Sequence, residues 1–497
     1  MSGLDRRSFV AGLGASLGGL IAPVGLSAEQ QATKQKNGLK QRDALPKGRP
    51  NVIIMICDDL GSGDLGCYGS KLNTPNLDRM ARAGARFTRY DTVHSLCSAS
   101  RGALLTGRYS TRTGTKPVYF PESTDGLDLD ESTLANVLHE RNYRSMCIGK
   151  WHLGSMPQYL PTRRGFDSYL GVPYSVDMRP FPMIKDDAAV EENTNRALLT
   201  PRYTEEAVRF IESSAQTLFF LYVAYSYPHI PIDASPGFKG KSRKGIYVDA
   251  VEEIDWSVGE ILSCLQRNGL DDNTLVIFTS DHGPWYEGSP GALRGRKGTT
   301  YEGGCRVPFL VRWNGVIPTG NVVSGWASHL DILPTVASIC GANLPSKPLD
   351  GVNISDLFTG KRESIEHDAV LYFSALRGGL DLQCVREDSW KLRISQYSKE
   401  TYLIGSDPGK NLMLSQPELY NLDDDPEESY DLARDYPDIV KRMLRKIDDA
   451  IPTFPERVGQ AYRELKNSPG SPTTPEGAAA RPTTYTSGTY HFDGSPN

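Results

Sequence analysis

The stretch Val52-Ile53-Ile54-Met55-Ile56-Cys57-Asp58-Asp59 carries six apolar residues in a row and ends on two adjacent carboxylates. A short continuous apolar run is typical of a strand that is buried on both faces, as in a parallel sheet covered by helices. Two neighbouring carboxylates repel each other unless a cation lies between them. We therefore expect Asp58 and Asp59 to bind a metal at the end of this strand, with an ordinary Asp-Asp turn as the alternative.

The same pattern recurs further along the chain. Three more apolar runs precede polar residues: residues 144–148 precede Lys150-Trp151-His152, residues 218–224 precede His229, and residues 275–279 precede Asp281-His282. Helical patterns separate these runs, which indicates an α/β protein with a large, mostly parallel sheet covered by helices. Ligands bind beyond the carboxyl ends of the strands in such sheets. The four polar groups are therefore expected to meet at one edge.

Cys97-Ser98-Ala99-Ser100-Arg101-Gly102 is a candidate nucleophile segment. Ser98 and Ser100 are predicted to cap the start of a helix. The free N–H groups and partial positive charge of a helix N-terminus favour an anionic ligand. Arg101 follows Cys97 by four residues, so both side chains are expected on one helix face. A small buried cysteine beside a surface arginine is the alternative.

Composition narrows the class of protein. The chain has 497 residues, 39% hydrophobic and 23% charged, which suits a globular protein of more than one domain. The net charge of −5 does not suggest a nucleic-acid partner. Eight cysteines are too few for a disulfide scaffold of this length, and none lies in a Cys-x-x-Cys zinc pattern.

Both ends of the chain differ from the middle in amino-acid composition. Arg6-Arg7 before a Gly- and Ala-rich apolar run predicts that residues 1–28 are a bacterial twin-arginine signal, with export to the periplasm or the medium and no stable membrane anchor. Residues 29–49 form a polar, flexible lead-in. Residues 365–466 predict a small α+β domain, with antiparallel strands near 370–375 and 383–395 and a helix over 437–451. Residues 467–497 are rich in Pro, Gly, Ser and Thr and predict a flexible tail.

Several motifs together resemble the type I, formylglycine-dependent sulfatases. Cys97-x-Ala99-x-Arg101 followed by Leu105-Thr106-Gly107-Arg108 is similar to the family signature, and so is Gly149-Lys150-Trp151-His152-Leu153-Gly154. Residues 160–167 and 171–175 resemble the arylsulfatase A and N-acetylgalactosamine-6-sulfatase branch. The resemblance runs over residues 50–431. It implies an alkaline-phosphatase-like fold with residues 50–364 as the catalytic domain.

The resemblance also implies the chemistry. A formylglycine-generating enzyme would oxidise Cys97 to an aldehyde whose hydrate attacks sulfur. Asp58, Asp59, Cys97, Asp281 and His282 would hold one Ca²⁺. Arg101, Lys150 and Lys297 would surround the sulfate oxygens, His152 would act as base, and His229 would protonate the leaving alcohol or phenol. The commoner family pattern has asparagine where this chain has His282, and a nitrogen donor leaves the identity of the metal open.

Three functions are compatible with these residues. The first is a sulfatase that acts on aryl or carbohydrate sulfate esters. The second is a phosphonate or phosphodiester hydrolase of the same superfamily. The third is a non-catalytic sulfoglycan-binding protein, which would be expected to lack part of the catalytic set, and no part is missing. Two further groups are candidates for substrate contact: Arg179, Trp285, Tyr286 and Arg294 at the rim of the pocket, and the basic loop of Lys239, Lys241, Arg243 and Lys244. The alternative is that the first group is scattered over the surface and that the second is a solvated loop.

Overall fold

The apolar stretch after Pro50 forms a central strand in the computed structural model of the protein, which describes residues 48–374, 378–399 and 409–468. The predicted signal at residues 1–28, the lead-in as far as residue 47 and the tail from residue 469 lie outside the described residues. The described strands are β1 Asn51–Cys57, β2 Ala85–Phe87, β3 Tyr90–Asp91, β4 Arg144–Lys150, β5 Ser168–Val172, β6 Met183–Lys185, β7 Ala188–Glu191, β8 Phe219–Ala224, β9 Thr274–Ser280, β10 Phe309–Arg312, β11 Asn321–Val323, β12 Ala327–Ser328, β13 Val370–Ser374, β14 Asp381–Glu387, β15 Trp390–Tyr397 and β16 Asn411–Asn421.

The α-helices within the same ranges are α1 Pro75–Ala83, α2 Cys97–Thr106, α3 Ser110–Thr113, α4 Leu134–His139, α5 Leu199–Ser213, α6 Ile246–Arg267, α7 Glu302–Cys305, α8 Ile332–Ile339, α9 Ser355–Phe358, α10 Pro437–Ala450 and α11 Glu456–Lys466. Short 3₁₀ helices are found at Ser62–Asp64, Gly66–Tyr68, Pro157–Tyr159, Pro161–Arg163, Arg196–Leu198, Asp271–Asn273, His329–Asp331 and Ile451–Thr453. Within the described ranges, no helix is both long and apolar enough to cross a membrane.

Ten strands form one large sheet in the order β11-β2-β10-β9-β1-β8-β4-β5-β6-β7. Strand β10 runs antiparallel to β9 and β2, and β6 runs antiparallel to β5 and β7. The other pairs are parallel. The predicted mixed, mostly parallel sheet is therefore confirmed.

The surroundings of strand β1 explain why residues 52–57 are all apolar. Val52, Ile54 and Ile56 pack into one apolar core, whereas Ile53 and Met55 pack into a second core on the other face of the sheet. All five side chains are fully buried. Successive side chains of a strand point to opposite faces, so a strand between two cores needs apolar residues at every position. Each such side chain stabilises the fold by about 1.5–3 kcal/mol.

The C-terminal region forms a separate antiparallel sheet in the order β13-β14-β15-β16. Helices α10 and α11 cover it, and α10 ends one residue before the predicted end of the 437–451 helix. The apolar core beneath this sheet also contains Val93, Ala103 and Leu330 from the larger part of the chain. The core of the small sheet therefore includes a residue of α2, the helix that begins at Cys97.

Candidate active site

Four adjacent strands of the large sheet deliver polar residues to one edge. In the order β9-β1-β8-β4, the first three strands are followed by Asp281-His282, Asp58-Asp59 and His229, and β4 ends at Lys150, which Trp151-His152 follow. The register pairs Cys57 with Ser280, and both Ile56 and Gly149 with Ala224. Their carboxyl ends therefore lie side by side, as the sequence predicted. The polar side chains of this edge are buried, His229 being the most exposed at 6%.

Helix α2 brings Cys97 to this edge at its first residue. The prediction that Ser98 and Ser100 cap the helix was wrong, because Leu96 occupies the N-cap position and both serines lie inside the helix. Their hydroxyls bond to distant segments instead: Ser98 Oγ accepts from the backbone N–H of Tyr119, and Ser100 Oγ donates to the carbonyl of Asp281. The serines therefore fasten α2 to its neighbours.

The Cys97 thiol lies among possible metal ligands. Its Sγ is 3.5 Å from Asp58 Oδ1 and 3.3 Å from His282 Nε2. One ligand atom from each of Asp58, Asp59, Cys97 and His282 lies within 4.8 Å of the others, and all four residues are buried. The structure thus brings together four of the five predicted metal ligands.

Asp281 lies beside these four residues. Its Oδ1 accepts the backbone N–H of Asp59 at 3.2 Å and is 3.5 Å from His282 Nε2. Nδ1 of His282 is 3.0 Å from the carbonyl of Gly283, and this contact requires the proton to lie on Nδ1. Nε2 then carries a lone pair and lies 3.5 Å from Asp59 Oδ1, so His282 can act as a nitrogen ligand.

Burial and neighbouring acids disfavour the charged form of two of the three carboxylates. Burial raises the pKa of Asp59 to about 7, and the charges of Asp58 and Asp281 add to the rise although Lys297 opposes it. Burial and the Asp58 charge raise the pKa of Asp281 to about 6. Burial alone would raise the pKa of Asp58 too, but Lys150 and other nearby cationic groups hold it well below its usual value. A divalent cation would relieve this repulsion, and a carboxylate-rich donor set fits one.

Three buried cations pair with these carboxylates. The Arg101 Nε and guanidinium N–H groups donate to Asp281 Oδ2 at 3.1 and 2.9 Å. Lys150 Nζ donates to Asp58 Oδ2 at 2.5 Å, and Lys297 Nζ donates to Asp59 Oδ1 and Oδ2 at 2.7 and 2.9 Å. Burial would lower the pKa of each lysine, but the facing acids raise it, so both ammonium groups stay charged.

His152 is held by a carbonyl that the sequence did not indicate. Its Nε2 lies 3.0 Å from the carbonyl of Tyr119, so the ring donates from Nε2. Its Nδ1 is buried and has no hydrogen-bond partner among the described residues. Burial, and then Lys150, hold the pKa of His152 well below its usual value, so the ring is neutral and its Nδ1 carries a free lone pair.

His229 lies at the same edge. Its Nε2 is 3.4 Å from Ser175 Oγ and 3.9 Å from Asp59 Oδ2, and its Nδ1 contacts the carbonyl of Ile230. Burial, and then the Lys297 charge, lower its pKa to about 3. Ser175 is a site residue that sequence reasoning did not single out. It lies in residues 171–175, one of the stretches on which the family resemblance rests, but nothing in that pattern indicates a contact with a histidine 54 residues away.

The predicted rim residues divide into two groups. Arg179 is exposed, Trp285 is half-buried, and Tyr286 is 41% exposed with its ring 4.9 Å from that of Trp285. Arg294 instead stacks on Tyr301 at 4.1 Å and donates to the carbonyl of Glu428. The four residues of the basic loop are all exposed.

Comparison with known proteins agrees with this geometry. A family model described as Sulfatase matches residues 50–342. Arylsulfatase A of Homo sapiens is 36% identical over 82% of this chain and 89% of its own length. N-acetylgalactosamine-6-sulfatase of Canis lupus familiaris is 36% identical over 79% and 84%. The solved structure of Ps i-CgsB in complex with k-i-k-neocarrahexaose matches 81% of this chain and 92% of that one, with a TM-score of 0.70 and 30% identity. Together with the ten-stranded sheet, such likenesses confirm the predicted alkaline-phosphatase-like fold.

Proposed function

Because the chain belongs to the sulfatase family, we propose that this sulfatase cleaves aryl or carbohydrate sulfate esters with a formylglycine derived from Cys97. The observation that carries the proposal is the position of the Cys97 Sγ. It lies at the start of a buried helix, 3.5 Å from Asp58 Oδ1 and 3.3 Å from His282 Nε2. Arg101, Lys150 and Lys297 surround the same carboxylates.

The unmodified thiol is poorly suited to attack. Burial raises the pKa of Cys97 well above that of an ordinary thiol, so Cys97 is neutral at physiological pH. A neutral thiol is a weak nucleophile. Formylglycine, made by a formylglycine-generating enzyme, would supply a hydroxyl of its hydrate as the nucleophile. Cys97 places that group at the N-terminus of α2, where free N–H groups favour an anionic substrate.

Asp58, Asp59, Asp281 and His282, with the oxygen that replaces the Cys97 sulfur, would hold the metal. We propose Ca²⁺, because carboxylate oxygens predominate in the donor set. The ion would supply positive charge next to the reacting sulfate. His282 Nε2 is a nitrogen donor that Ca²⁺ does not favour, so metal replacement is the decisive test of this choice.

The protein's own cations would neutralise the sulfate oxygens. Lys150, Lys297 and Arg101 are already charged and buried beside the carboxylates, so little reorganisation is needed when an anion binds. Charge on the sulfuryl oxygens grows as the ester bond breaks. Fixed positive groups in a site that excludes water therefore stabilise the transition state more than the bound substrate.

The two histidines would move protons. His152 has a free, buried Nδ1 lone pair, and it would accept the proton released as sulfate departs. His229 would protonate the leaving oxygen through Nε2 once its ring is the imidazolium, because in the neutral ring the contact of Nδ1 with the carbonyl of Ile230 keeps the proton on Nδ1. The Lys297 charge helps to lower the pKa of His229, and a bound sulfate anion next to Lys297 would offset that effect.

The test uses the full chain produced together with a formylglycine-generating enzyme. Peptide mass spectrometry around Cys97 is expected to show an aldehyde or its hydrate in place of the thiol. Turnover of a nitrophenyl sulfate and of sulfated sugars is then compared with turnover of phenyl phosphonate and bis-nitrophenyl phosphate, before and after chelation and with Ca²⁺ or Mg²⁺ restored. Sulfate turnover that is lost on chelation and restored best by Ca²⁺ supports the proposal. Faster turnover of the phosphorus esters would contradict it.

We also propose that the protein is exported to the periplasm or the medium, since Arg6-Arg7 precedes an apolar run in the manner of a twin-arginine signal. Cell fractionation of a bacterial host should find the protein outside the cytoplasm. Replacing both arginines with lysine should retain it in the cytoplasm. An unchanged distribution would contradict the export route.

A further inference from the structure

Lys297 is carried by a loop rather than by a strand of the sheet. Residues 293–304 are called the lysine loop below. Its backbone is fixed near the site by the N–H of Lys297, which donates to the carbonyl of Pro284 at 3.1 Å, and by the N–H of Gly298, which donates to Ser95 at 2.9 Å. Lys297 Nζ reaches Asp59. The position of this ammonium group therefore depends on what supports the rest of the loop.

The C-terminal sheet contacts the loop at Thr300. A guanidinium N–H of Arg393, on β15, donates to Thr300 Oγ1 at 3.0 Å, and that hydroxyl donates to Gln383 Oε1, on β14, at 2.9 Å. Exposure is 3% for Arg393, 5% for Gln383 and 2% for Thr300. One hydroxyl thus joins the loop to two strands of the small sheet in a place without solvent to replace either bond.

Tyr301 is contacted by two guanidinium groups. The Arg393 Cζ lies 3.8 Å from the ring centroid and the Arg294 Cζ lies 4.1 Å from it. Cation–π contacts of this kind are strongest where water is excluded, and the Tyr301 residue is only 9% exposed. Arg393 therefore contacts two consecutive residues of the loop.

Glu302 provides a third contact. Lys391 Nζ, also on β15, donates to Glu302 Oε1 at 2.9 Å, and the Glu302 backbone N–H donates to Glu428 Oε2 at 2.6 Å. Three successive residues of the lysine loop, three to five positions after Lys297, are thus held by the C-terminal region. This region would otherwise have no evident part in the chemistry.

We propose that Arg393 and Thr300 are positioning residues for Lys297, so that the C-terminal sheet determines where the Lys297 ammonium group lies in the site. The inference rests on the proposed function, in which Lys297 contacts the sulfate. A displacement of about 1 Å at a reacting centre can cost about 100-fold in rate. Loss of the Arg393–Thr300 contact frees the loop at a point three residues from Lys297.

The test compares Arg393→Met and Thr300→Val with the wild type in the full-length, formylglycine-containing protein. Arg442→Met is the matched control, because Arg442 is an exposed arginine of α10 whose guanidinium pairs with Glu387, away from the lysine loop. We expect kcat on a sulfate ester to fall about 10-fold in both test variants and less than twofold in the control. In a Lys297→Ala background the same two substitutions should lower kcat less than twofold further, because the residue that they position is absent.

Two measurements do not need turnover. The affinity for inorganic sulfate, measured by calorimetry, should fall in the test variants, and peptides covering residues 293–304 should exchange amide hydrogens faster while peptides of β1 and β9 keep their protection. Thr300→Val removes one hydroxyl and keeps the side-chain shape. If Arg393→Met fails to fold, the same measurements on Thr300→Val still test the proposal.

The outcomes separate the two hypotheses. Unchanged kcat, sulfate affinity and loop protection in Thr300→Val would overturn the positioning role, as would an undiminished effect in the Lys297→Ala background. A wild type that hydrolyses no sulfate ester would instead overturn the proposed function. Sulfate affinity and loop protection would still decide whether the C-terminal sheet positions Lys297.

Discussion

Among the residues that the structure describes, two buried clusters of charge are built differently. The active-edge cluster consists of Asp58, Asp59, Asp281, Arg101, Lys150 and Lys297. The joint cluster, between the large sheet and the C-terminal sheet, consists of Asp91, Glu302, Glu428, Arg386 and Lys391. In the joint cluster the Lys391 ammonium group lies between two acids, 2.9 Å from Glu302 and 3.1 Å from Glu428. In the active-edge cluster, donor atoms of Asp58, Asp59, Cys97 and His282 face one another.

The difference appears in the pKa values. Burial would raise the pKa of Glu302, but Lys391, Arg306 and Arg386 hold it well below its ordinary value. At the active edge, burial and neighbouring acids raise the pKa of Asp59 to about 7 and that of Asp281 to about 6. Glu428 is the exception in the joint cluster, since burial raises its pKa in spite of Lys391. Buried charge alone therefore does not identify a site, whereas carboxylate oxygens that lie close to a thiol and an imidazole nitrogen, with raised pKa values at Asp59 and Asp281, mark a place for a cation.

Cys97→Ser should give the largest effect, because it removes the proposed nucleophile from the active-edge cluster. We expect kcat to fall by at least about 10⁴-fold, since removal of a nucleophile costs an enzyme about that much or more. The unfolding free energy should change by less than about 1 kcal/mol, because serine is close in size to cysteine. Cys67→Ser, outside the site, is the control for kinetics and thermal unfolding. A variant that keeps a tenth of the activity would show that Cys97 is not the nucleophile.

Lys150→Met tests whether the active edge is built for chemistry rather than stability. We expect kcat to fall about 10²–10³-fold, because one of the charges facing the sulfate oxygens is lost. In the presence of Ca²⁺, the unfolding free energy should change by about 1 kcal/mol or less. The Asp58 carboxylate would still face the Arg101 guanidinium, 3.5 Å away, and bound Ca²⁺ would neutralise it further. Lys347→Met removes another lysine that pairs with two acids, Asp130 and Glu131, and should leave kcat unchanged. Equal losses of kcat in both variants would contradict this assignment.

Lys391→Met should give the opposite result in the joint cluster. Glu302 and Glu428 would face each other without their shared cation, which costs a buried pair about 3–5 kcal/mol. The kcat of the folded protein should fall less than about 10-fold. Denaturant unfolding and steady-state kinetics measure both quantities, with the exposed Lys466→Met as the control. Destabilisation of less than 1 kcal/mol would mean that the joint cluster does not hold the two regions together.

The parts of the fold that follow from local pattern were predicted from sequence. Residues 52–57 of strand β1 are all apolar because cores lie on both faces of the strand, and this pattern can be read without any long-range contact. The same holds for Asp58, His152, His229 and Asp281, because residues that follow parallel strands reach one edge of the sheet.

Contacts between distant segments were not predictable in this way. Ser98 and Ser100 resembled helix caps, but their hydroxyls bond to groups 21 and 181 residues away. The Lys391–Glu302 pair joins residues 89 positions apart, and no periodicity in the chain connects β15 with the lysine loop. Support for Lys297 by the C-terminal sheet therefore became visible only in the structure.

The smallest expected effect concerns His367, which pairs with Asp331 near the joint cluster. Its Nε2 is 3.1 Å from Asp331 Oδ2, and its ring lies 4.6 Å from that of Trp326. Burial would lower the pKa of His367, but the hydrogen bond and charge of Asp331 raise it above its ordinary value. A raised histidine pKa stabilises the fold below the unfolded value of about 6.5, and the contribution is lost as the pH rises through the folded value. Between pH 6 and 8, wild-type stability should therefore fall by up to about 1 kcal/mol more than that of His367→Gln. The other buried histidines are present in both proteins and cancel in the difference, so parallel stability curves would show that the His367–Asp331 pair does not stabilise the fold.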